Sequence, residues 1–190
     1  MKCISCESFS LSIICKKCQK EYFSVKLNKR ELSKDFYVYS FYSFEEIEEF
    51  IESKYYFYGD RVYKILADMS FKKFSFEFTY PEVVTAITIN DNDINLFRTS
   101  AILTKALKSK NINVDYKSLY ATNKVKYAGK SLDFRKNNPR KFQYEGKRGQ
   151  KVILIDDVVT TGTTILEAKK ILESHGCEVL FGLVLADAKF

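Results

Sequence analysis

The 190-residue sequence predicts an α/β protein, a mostly parallel sheet flanked by helices, with a small N-terminal four-cysteine knuckle. Three observations lead to this prediction. Short apolar or β-branched runs alternate with amphipathic segments, which is typical of parallel strands joined by helical crossovers. One apolar run leads through a threonine-rich loop into a helix. Four of the five cysteines lie within the first 18 residues.

The predicted elements follow one another along the chain. They are a strand at 36–43, a helix started by a capping box of Ser43 and Glu46, a helix at 60–71, a first core strand at 83–89, a helix at 96–107, a strand within 114–121, a strand beginning at Val152, a helix at 163–174 and a buried strand at 179–185. In sheets of this kind, ligands bind outside the carboxyl ends of the strands.

The stretch from Val152 to Thr164 gives the strongest functional signal. Its four leading apolar residues predict a strand buried on both faces, and Asp156 and Asp157 follow at the carboxyl end. Unpaired helix N-terminal amides, threonine hydroxyls and a glycine that admits close approach favour a phosphate. The two acids suit hydrogen-bond donors such as the hydroxyls of a ribose. The alternative is a strand-to-helix turn without a ligand, although two acids followed by four threonines are hard to explain as a turn alone.

This stretch resembles the ribose-phosphate-binding signature of type I phosphoribosyltransferases, a hydrophobic run followed by two acids, two variable residues and a Thr/Gly-rich turn. The resemblance implies a type I phosphoribosyltransferase fold and a 5-phosphoribosyl pocket. The residues expected to bind the phosphoribosyl group are Asp156, Asp157, Val158, Val159, Thr160, Thr161, Gly162, Thr163 and Thr164.

The N-terminal cysteines form two Cys-x-x-Cys pairs separated by eight residues, Cys3 with Cys6 and Cys15 with Cys18. This spacing predicts a tetrahedral Zn²⁺ site, and full coordination by four thiolates indicates a structural role. Disulfides are the main alternative, but no apolar signal segment precedes the cysteines. Since there is also no apolar run of roughly 18 residues, we expect a cytoplasmic protein without a transmembrane segment.

The net charge of +7 is concentrated in one region, because ten basic and only two acidic residues lie between positions 120 and 151. Such a stretch is consistent with a polyanionic partner, or with a solvated loop that neutralises one diphosphate. The candidate DNA-binding residues are Lys124, Lys126, Lys136, Arg140 and Lys141. Aromatic residues that suit base stacking are interleaved with them, namely Tyr120, Tyr127, Phe134, Phe142 and Tyr144.

A four-cysteine knuckle followed by this signature resembles the ComF family, the competence-associated phosphoribosyltransferase-like proteins of bacteria. Residues 54–60, Arg135-x-x-Asn138 with Phe142, and Leu185-Ala186 are similar to further segments of that family. Two family features are missing: a Pro-x-Pro after the first core strand, and an Arg-Gly-Phe-Asn-Gln run, which reads Asn-Leu-Phe-Arg-Thr at 95–99. A family glutamine is replaced by Tyr127.

The resemblance implies a competence factor for natural transformation. It would bind phosphoribosyl diphosphate with Mg²⁺, and its diphosphate contacts would come from Arg98, Lys130 and Arg135. Single-stranded DNA, a competence helicase and other DNA-uptake proteins are the implied partners. A metabolic phosphoribosyltransferase for a nucleobase-like acceptor and a non-catalytic sensor of phosphoribosyl diphosphate remain alternatives. The sequence pattern identifies no residue as a catalytic base. The single histidine, His175, is expected to interact with a helix C-terminus.

The chain is therefore predicted to contain three parts. Residues 1–22 form the zinc-binding knuckle, residues 23–80 form a connecting region that can supply a hood over the acceptor, and residues 81–190 form the phosphoribosyltransferase-like domain.

Overall fold

The computed structural model describes residues 1–90, 98–123, 134 and 137–189. The strands are β1 (Asn28–Ser33), β2 (Phe36–Ser43), β3 (Val84–Thr88), β4 (Ile112–Asp115), β5 (Leu119–Ala121), β6 (Phe142–Tyr144), β7 (Lys151–Val159) and β8 (Glu178–Asp187). The helices are α1 (Lys16–Tyr22), α2 (Phe44–Glu52), α3 (Gly59–Met69), α4 (Phe71–Glu77), α5 (Thr99–Ala106) and α6 (Thr163–Ser174), with a 3-10 turn at Ser53–Tyr55.

Six of these strands form one sheet in the order β1-β2-β8-β7-β3-β4. The edge strand β1 is antiparallel to β2, and every other neighbouring pair in this sheet is parallel. Strands β5 and β6 pair with each other as a separate antiparallel sheet. This arrangement confirms the predicted fold class, and it places the carboxyl ends of five parallel strands along one edge of the sheet.

Two apolar layers bury the two faces of the main sheet. One layer packs the knuckle and helices α2 to α5 against residues such as Phe41, Ile153 and Leu183. The other packs α6 and the β5–β6 sheet against residues such as Val152 and Leu154. Alternate residues of β7 therefore belong to different layers, and Val152 to Ile155 are fully buried. This confirms the predicted doubly buried strand.

Strand β7 is longer than its apolar run suggested. It continues through both acids to Val159, because β8 extends alongside it and pairs Val158 with Ala186 and Val159 with Asp187. Asp156 and Asp157 thus lie within the second half of the strand, where pairing of Asp156 with Val184 and of Val158 with Ala186 fixes their backbone. The acids do not sit in a free loop.

Some elements differ from those the sequence suggested. The region 114–121 contains the end of β4 and the whole of β5, which belong to different sheets. A turn separates these strands, because Asp115 accepts hydrogen bonds from the backbone N–H groups of Lys117 (3.0 Å) and Ser118 (3.1 Å). The helix predicted from residue 96 begins at Thr99. Strand β1 was not predicted because its sequence, Asn-Lys-Arg-Glu-Leu-Ser, has one apolar residue and no alternation that marks a buried face.

The main sheet crosses the predicted boundary at residue 80. Strands β1 and β2 come from the region 23–80, and β2 is hydrogen-bonded to β8 along five residue pairs, including Val38 with Gly182. The division into three parts stays a prediction about folding units. The hydrogen-bonded sheet itself includes both the connecting region and the region after it.

No helix in the described ranges combines the length and the apolar character needed to span a bilayer.

The start of α2 agrees with the predicted capping box. The Ser43 hydroxyl accepts from the backbone N–H of Glu46 at 3.3 Å, and the Glu46 carboxylate accepts from the backbone N–H of Ser43 at 3.0 Å. Two amides that lack helical partners are thereby satisfied. Because Ser43 is also the last residue of β2, this cap fixes where the chain leaves the sheet.

Replacing Ser43 with alanine should lower the free energy of unfolding by about 1 kcal/mol, since one N-terminal amide of α2 loses its acceptor. Urea unfolding followed by circular dichroism would show a lower midpoint with an unchanged slope. Ser24→Ala, at an exposed position outside the helices and strands, is the control. If S43A unfolded at the same midpoint as S24A, the capping box would contribute nothing measurable.

Candidate functional site

The carboxyl end of β7 holds two adjacent acids whose carboxylates are oriented by their own backbone. Asp156 Oδ1 accepts from the backbone N–H of Asp157 at 2.8 Å, and Asp157 Oδ1 accepts from the backbone N–H of Val158 at 2.8 Å. Both residues are half-buried. Carboxylates held in this way are preorganised acceptors for hydroxyl groups or ligands for a hard cation.

Side chains from two other elements contact these acids. Asp157 Oδ2 lies 3.2 Å from Lys54 Nζ and accepts a hydrogen bond from Thr99 Oγ1 at 3.2 Å. Ser100 Oγ donates to Asp156 Oδ1 at 3.4 Å. The side chains of Lys54 and Asp157 are each 17% exposed, so the ion pair is only partly screened by water. The acids are therefore surrounded by donors on the protein side.

Sequence reasoning gave these three donors no role. Lys54 begins the segment 54–60, which is similar to a segment of the ComF family. That similarity singled out the segment but did not indicate that Lys54 contacts the acids. Thr99 and Ser100 directly follow Arg98 at the start of α5. No spacing rule links residue 54 to residue 157, because only the tertiary fold brings them together.

One buried tyrosine is influenced by the charges of the two acids. Tyr63 has no exposed surface, and its hydroxyl donates to the carbonyl of Ile51 at 3.2 Å. Burial, together with the negative charges of Asp157 and Asp156, raises the pKa of Tyr63 well above its usual value. The tyrosine therefore stays neutral near the two carboxylates.

The loop that follows β7 leads directly into α6. Its Gly162 has φ of +82°, in the left-handed region, and occupies the N-cap position of the helix. A side chain at this position would be strained, and a Cβ atom would lie 2.7 Å from Leu32 Cδ2. Glycine also has no side-chain oxygen to cap the first amides of the helix, in contrast to the usual serine, threonine or aspartate. These amides and the helix dipole favour an anion at this end of the helix.

Threonine hydroxyls line the same loop. Thr161 Oγ1 and Thr163 Oγ1 are hydrogen-bonded to each other at 2.9 Å, and Thr161 Oγ1 also lies 3.5 Å from the backbone nitrogen of Thr163. The nearby Val159 is buried, and its carbonyl accepts from the backbone of Ala188 at 2.9 Å. The loop thus offers donors for an anion, and β7 beside it offers acceptors for hydroxyls or a cation.

The described residues include three of the predicted basic contacts. Arg98 is exposed, and its Nη1 lies 3.5 Å from Asn90 Oδ1 near the carboxyl end of β3. Lys141 is exposed and has φ of +52°. Arg140 is 6% exposed, and its backbone N–H donates to Glu167 at 2.8 Å. The other predicted basic residues lie outside the described part of the chain, namely Lys124, Lys126, Lys130, Arg135 and Lys136.

Burial corrects several of the predicted nucleic-acid contacts. Arg140 is too buried to present its side chain to DNA. Phe142 and Tyr144 are 5% and 6% exposed and belong to the core beneath α6, so they are not available for base stacking. Tyr120 donates its hydroxyl to the carboxylate of Glu145 at 2.5 Å. Alternating residues of the β5–β6 sheet point into the core, which a count of charges and aromatic residues does not reveal.

The single histidine behaves as expected for a helix end. His175 Nδ1 lies 2.8 Å from the carbonyl of Ile171 in the last turn of α6. Imidazole at a helix C-terminus interacts favourably with the dipole.

The four N-terminal cysteines form a candidate metal centre. Their sulfur atoms all lie within 4.8 Å of one another, and all four are free thiols. Four sulfurs at about 2.3 Å from a tetrahedral zinc ion are separated by about 3.8 Å. The Sγ atoms of Cys6 and Cys15 are 3.7 Å apart. The arrangement thus fits one tetrahedral ion.

Backbone amides and crowding give these thiols different acidities. Burial opposes ionisation of Cys3, but hydrogen bonds from the backbone of Cys15, Cys6 and Ser5 lower its pKa to about 6. Cys18 receives a hydrogen bond from the Ser5 side chain, yet burial and the neighbouring thiols raise its pKa to about 12. The four close sulfurs therefore do not all lose their protons unless a cation balances their charge.

Comparisons with known proteins agree with the geometry around β7. Residues 103–189 match the family described as phosphoribosyl transferase domain. An orotate phosphoribosyltransferase of Methanopyrus kandleri is 50% identical over 40 residues, which cover 21% of this chain and 22% of that protein. An orotate phosphoribosyltransferase of Campylobacter lari is 45% identical over 47 residues, which cover 25% of this chain and 23% of that protein. The matched segments therefore span less than a quarter of either relative.

Two solved structures illustrate the structural comparison. An adenine phosphoribosyltransferase from Trypanosoma brucei, in complex with AMP, pyrophosphate and ribose-5-phosphate, is 15% identical with a TM-score of 0.45, over 86% of this chain and 87% of that chain. A hypoxanthine phosphoribosyltransferase from Staphylococcus aureus is 15% identical with a TM-score of 0.41, over 66% of this chain and 62% of that chain.

The family match contains β7, the loop after it and α6, which are the elements that build the candidate site. The chain therefore has the α/β phosphoribosyltransferase fold, in which residues 103–189 match the phosphoribosyl transferase domain and an N-terminal four-cysteine cluster precedes them.

Proposed function

We propose that this chain binds phosphoribosyl diphosphate at the carboxyl end of β7. The 5-phosphate would lie on the loop 160–164, and the ribose hydroxyls would donate to Asp156 and Asp157. One observation carries the proposal: fixed carboxylates and an uncapped helix N-terminus with Gly162 at φ +82° adjoin each other in a phosphoribosyltransferase-family domain. Phosphate and vicinal hydroxyls are the two groups that this pair of features recognises.

The oxygen-rich acids also fit Mg²⁺, which favours carboxylate and phosphate oxygens and keeps several waters. Asp156 and Asp157 would hold it together with the ligand. When bound, Mg²⁺ neutralises charge on the diphosphate and so makes it a better leaving group. The chain's own contribution is to orient the ribose through the acids, to fix the 5-phosphate through the loop, and to place Arg98 toward the diphosphate.

Transfer to a nucleobase-like acceptor is the second candidate function. It is supported by the orotate phosphoribosyltransferases that the segment around β7 resembles. Diphosphate release in the presence of Mg²⁺, phosphoribosyl diphosphate and a panel of free bases would identify it. Binding of phosphoribosyl diphosphate without release for any base would favour a sensor.

We further propose that the chain is a ComF-type competence factor that handles single-stranded DNA and works with a competence helicase or other DNA-uptake proteins. The support is the knuckle-plus-signature combination and the basic stretch between residues 120 and 151. Lys141, Lys147 and Arg148 are exposed there, whereas Arg140 is excluded by its burial. A solvated basic surface of this kind favours the phosphate backbone over base edges.

We propose Zn²⁺ as the ion of the four-cysteine cluster. Soft thiolates in a tetrahedral set favour Zn²⁺ over Mg²⁺ or Ca²⁺. Cys3 and Cys18 are buried in the same apolar layer as Phe23 and Phe41, so the metal would also hold the knuckle against the sheet. Its role would be structural.

Replacing both acids, Asp156→Asn with Asp157→Asn, should weaken binding of phosphoribosyl diphosphate about 100-fold or more. Each lost charge-assisted hydrogen bond is worth about 1.5–3 kcal/mol. The fold should persist, because amide oxygens still accept from Lys54, Thr99 and Ser100. Isothermal titration calorimetry with Mg²⁺ measures the affinity. Asp68→Asn, on the exposed face of α3, is the control. Unchanged affinity in the double variant would remove the acids from the site.

Single-stranded oligonucleotide binding should fall steeply with added salt, because released counterions drive the association. Reversing Lys124, Lys126, Lys136 and Lys141 to glutamate should weaken binding and reduce the magnitude of the log–log salt slope by up to about 3, if each lysine contacts one phosphate. Fluorescence anisotropy measures both quantities. Reversal of four exposed lysines elsewhere is the control, at Lys73, Lys105, Lys108 and Lys110. Equal effects of the two sets would indicate attraction by net charge alone.

Cys6→Ser should abolish stoichiometric zinc and lower the melting temperature, because three remaining thiolates leave the ion incompletely coordinated. Cys177→Ser is the control, because Cys177 is not part of the cluster, and this variant should retain one zinc ion per chain. Metal analysis by mass spectrometry gives the stoichiometry. A wild-type protein purified without chelators that contains no zinc and gains no stability from added zinc would contradict the assignment.

A further inference from the structure

The edge strand β1 reaches the loop after β7 through one arginine. Arg30 Nε donates to Asp187 Oδ2 at 2.6 Å, and Arg30 Nη2 donates to the carbonyl oxygen of Thr160 at 3.0 Å. A single planar guanidinium therefore links the carboxyl end of β8 to the first residue of the loop. Such a rigid fork positions two acceptors relative to each other, which a flexible ammonium does not do.

The carboxylate that holds Arg30 is itself fixed. The side chain of Asp187 is 1% exposed, and that of Arg30 is 13% exposed. Asp187 Oδ1 accepts a second hydrogen bond from the backbone N–H of Lys189 at 2.9 Å. A buried carboxylate that accepts from both sides gives the guanidinium one well-defined orientation.

Holding the Thr160 carbonyl determines the direction of the next amide. In a trans peptide, the N–H of Thr161 points opposite to the carbonyl of Thr160, and the described residues contain no cis peptide bond. The amide of Thr161 is thus directed away from Arg30. The preceding carbonyl, that of Val159, is held by Ala188 at 2.9 Å. Two successive peptide planes are therefore fixed from the β8 side.

The same strand also packs on the glycine of the loop. The pairing of β1 with β2 shifts between Glu31 and Ser33, which leaves Leu32 as an extra residue in a bulge. A Cβ atom on Gly162 would come within 2.7 Å of Leu32 Cδ2, so this side chain already closes one side of the loop. Polar and apolar contacts from β1 thus converge on residues 160–162.

We propose that Arg30 is a positioning residue for anion binding: by anchoring the Thr160 carbonyl to Asp187, it aims the amides of the loop 160–164 at the 5-phosphate. This role rests on the proposed binding of phosphoribosyl diphosphate. Arg30 acts through the loop and makes no contact with the phosphate itself.

Arg30→Lys is the test, because lysine keeps the charge opposite Asp187 but lacks the fork that reaches Thr160. We expect about tenfold weaker binding of phosphoribosyl diphosphate by calorimetry, the loss typical of one charge-assisted hydrogen bond. Hydrogen exchange of the ligand-free protein should be faster in peptides that cover 160–165 and unchanged elsewhere. Arg148→Lys, exposed near the opposite end of β7, is the matched control and should alter neither.

The outcomes separate this inference from the proposed function. If wild-type protein fails to bind phosphoribosyl diphosphate, the proposed function fails, and hydrogen exchange still tests whether Arg30 orders the loop. If wild type binds and R30K binds equally well, the positioning role is overturned, whatever the exchange shows. If R30K does not fold, Arg30→Gln with Asp187→Asn leaves no buried unpaired charge and should show the same loss of affinity. Full affinity in that double variant would equally overturn the inference.

Discussion

The burial of β7 on both faces, with a parallel partner on each side, is the constraint on which the remaining structure depends. Its four central residues are fully buried and divide between two apolar layers, so the strand cannot shift by one residue without exposing both. Because register is fixed, the two acids and the glycine that follow at its carboxyl end have fixed positions too. The site is therefore determined by packing far from any ligand.

Much of this arrangement could be predicted from sequence because its signals are local. The apolar run before Asp156, the glycine at the start of α6 and the Ser43–Glu46 cap are all read over a few residues. The cysteine pairs are equally local, and their sulfur atoms do meet. Each of these features is decided by backbone geometry or spacing that short segments contain.

The rest depended on contacts between distant segments. Lys54 and Arg30 lie 103 and 157 positions from their acidic partners, and nothing in either segment indicates a carboxylate nearby. The basic stretch was misleading for the opposite reason. Composition predicted exposed charges and aromatics, but the alternation of the β5–β6 sheet turns Phe142 and Tyr144 into core residues. Side-chain direction in a short strand is set by the layer it covers.

The knuckle is part of this packing. Cys3, Cys18 and Phe23 belong to the same apolar layer as Tyr42 and Leu66, so the segment that brings the four cysteines together also covers one face of the sheet. A short segment of this kind has too little apolar surface for a core of its own. Coordination of the proposed zinc ion would therefore stabilise the same contact as apolar burial, and loss of the ion should weaken the packing of the knuckle on the sheet.

The strand order has a consequence for biosynthesis. Strand β2 pairs in parallel with β8. Val38, for example, pairs with Gly182, which lies far away in the sequence and is synthesised much later. Contacts between such distant segments form slowly, because the chain loses conformational entropy before the contact contributes any stabilising free energy. While the ribosome makes the intervening residues, the inner edge of β2 has no partner and resembles the open strand edges that associate with other chains. Pairing of this edge in the native register therefore requires that nearly the whole chain has been synthesised.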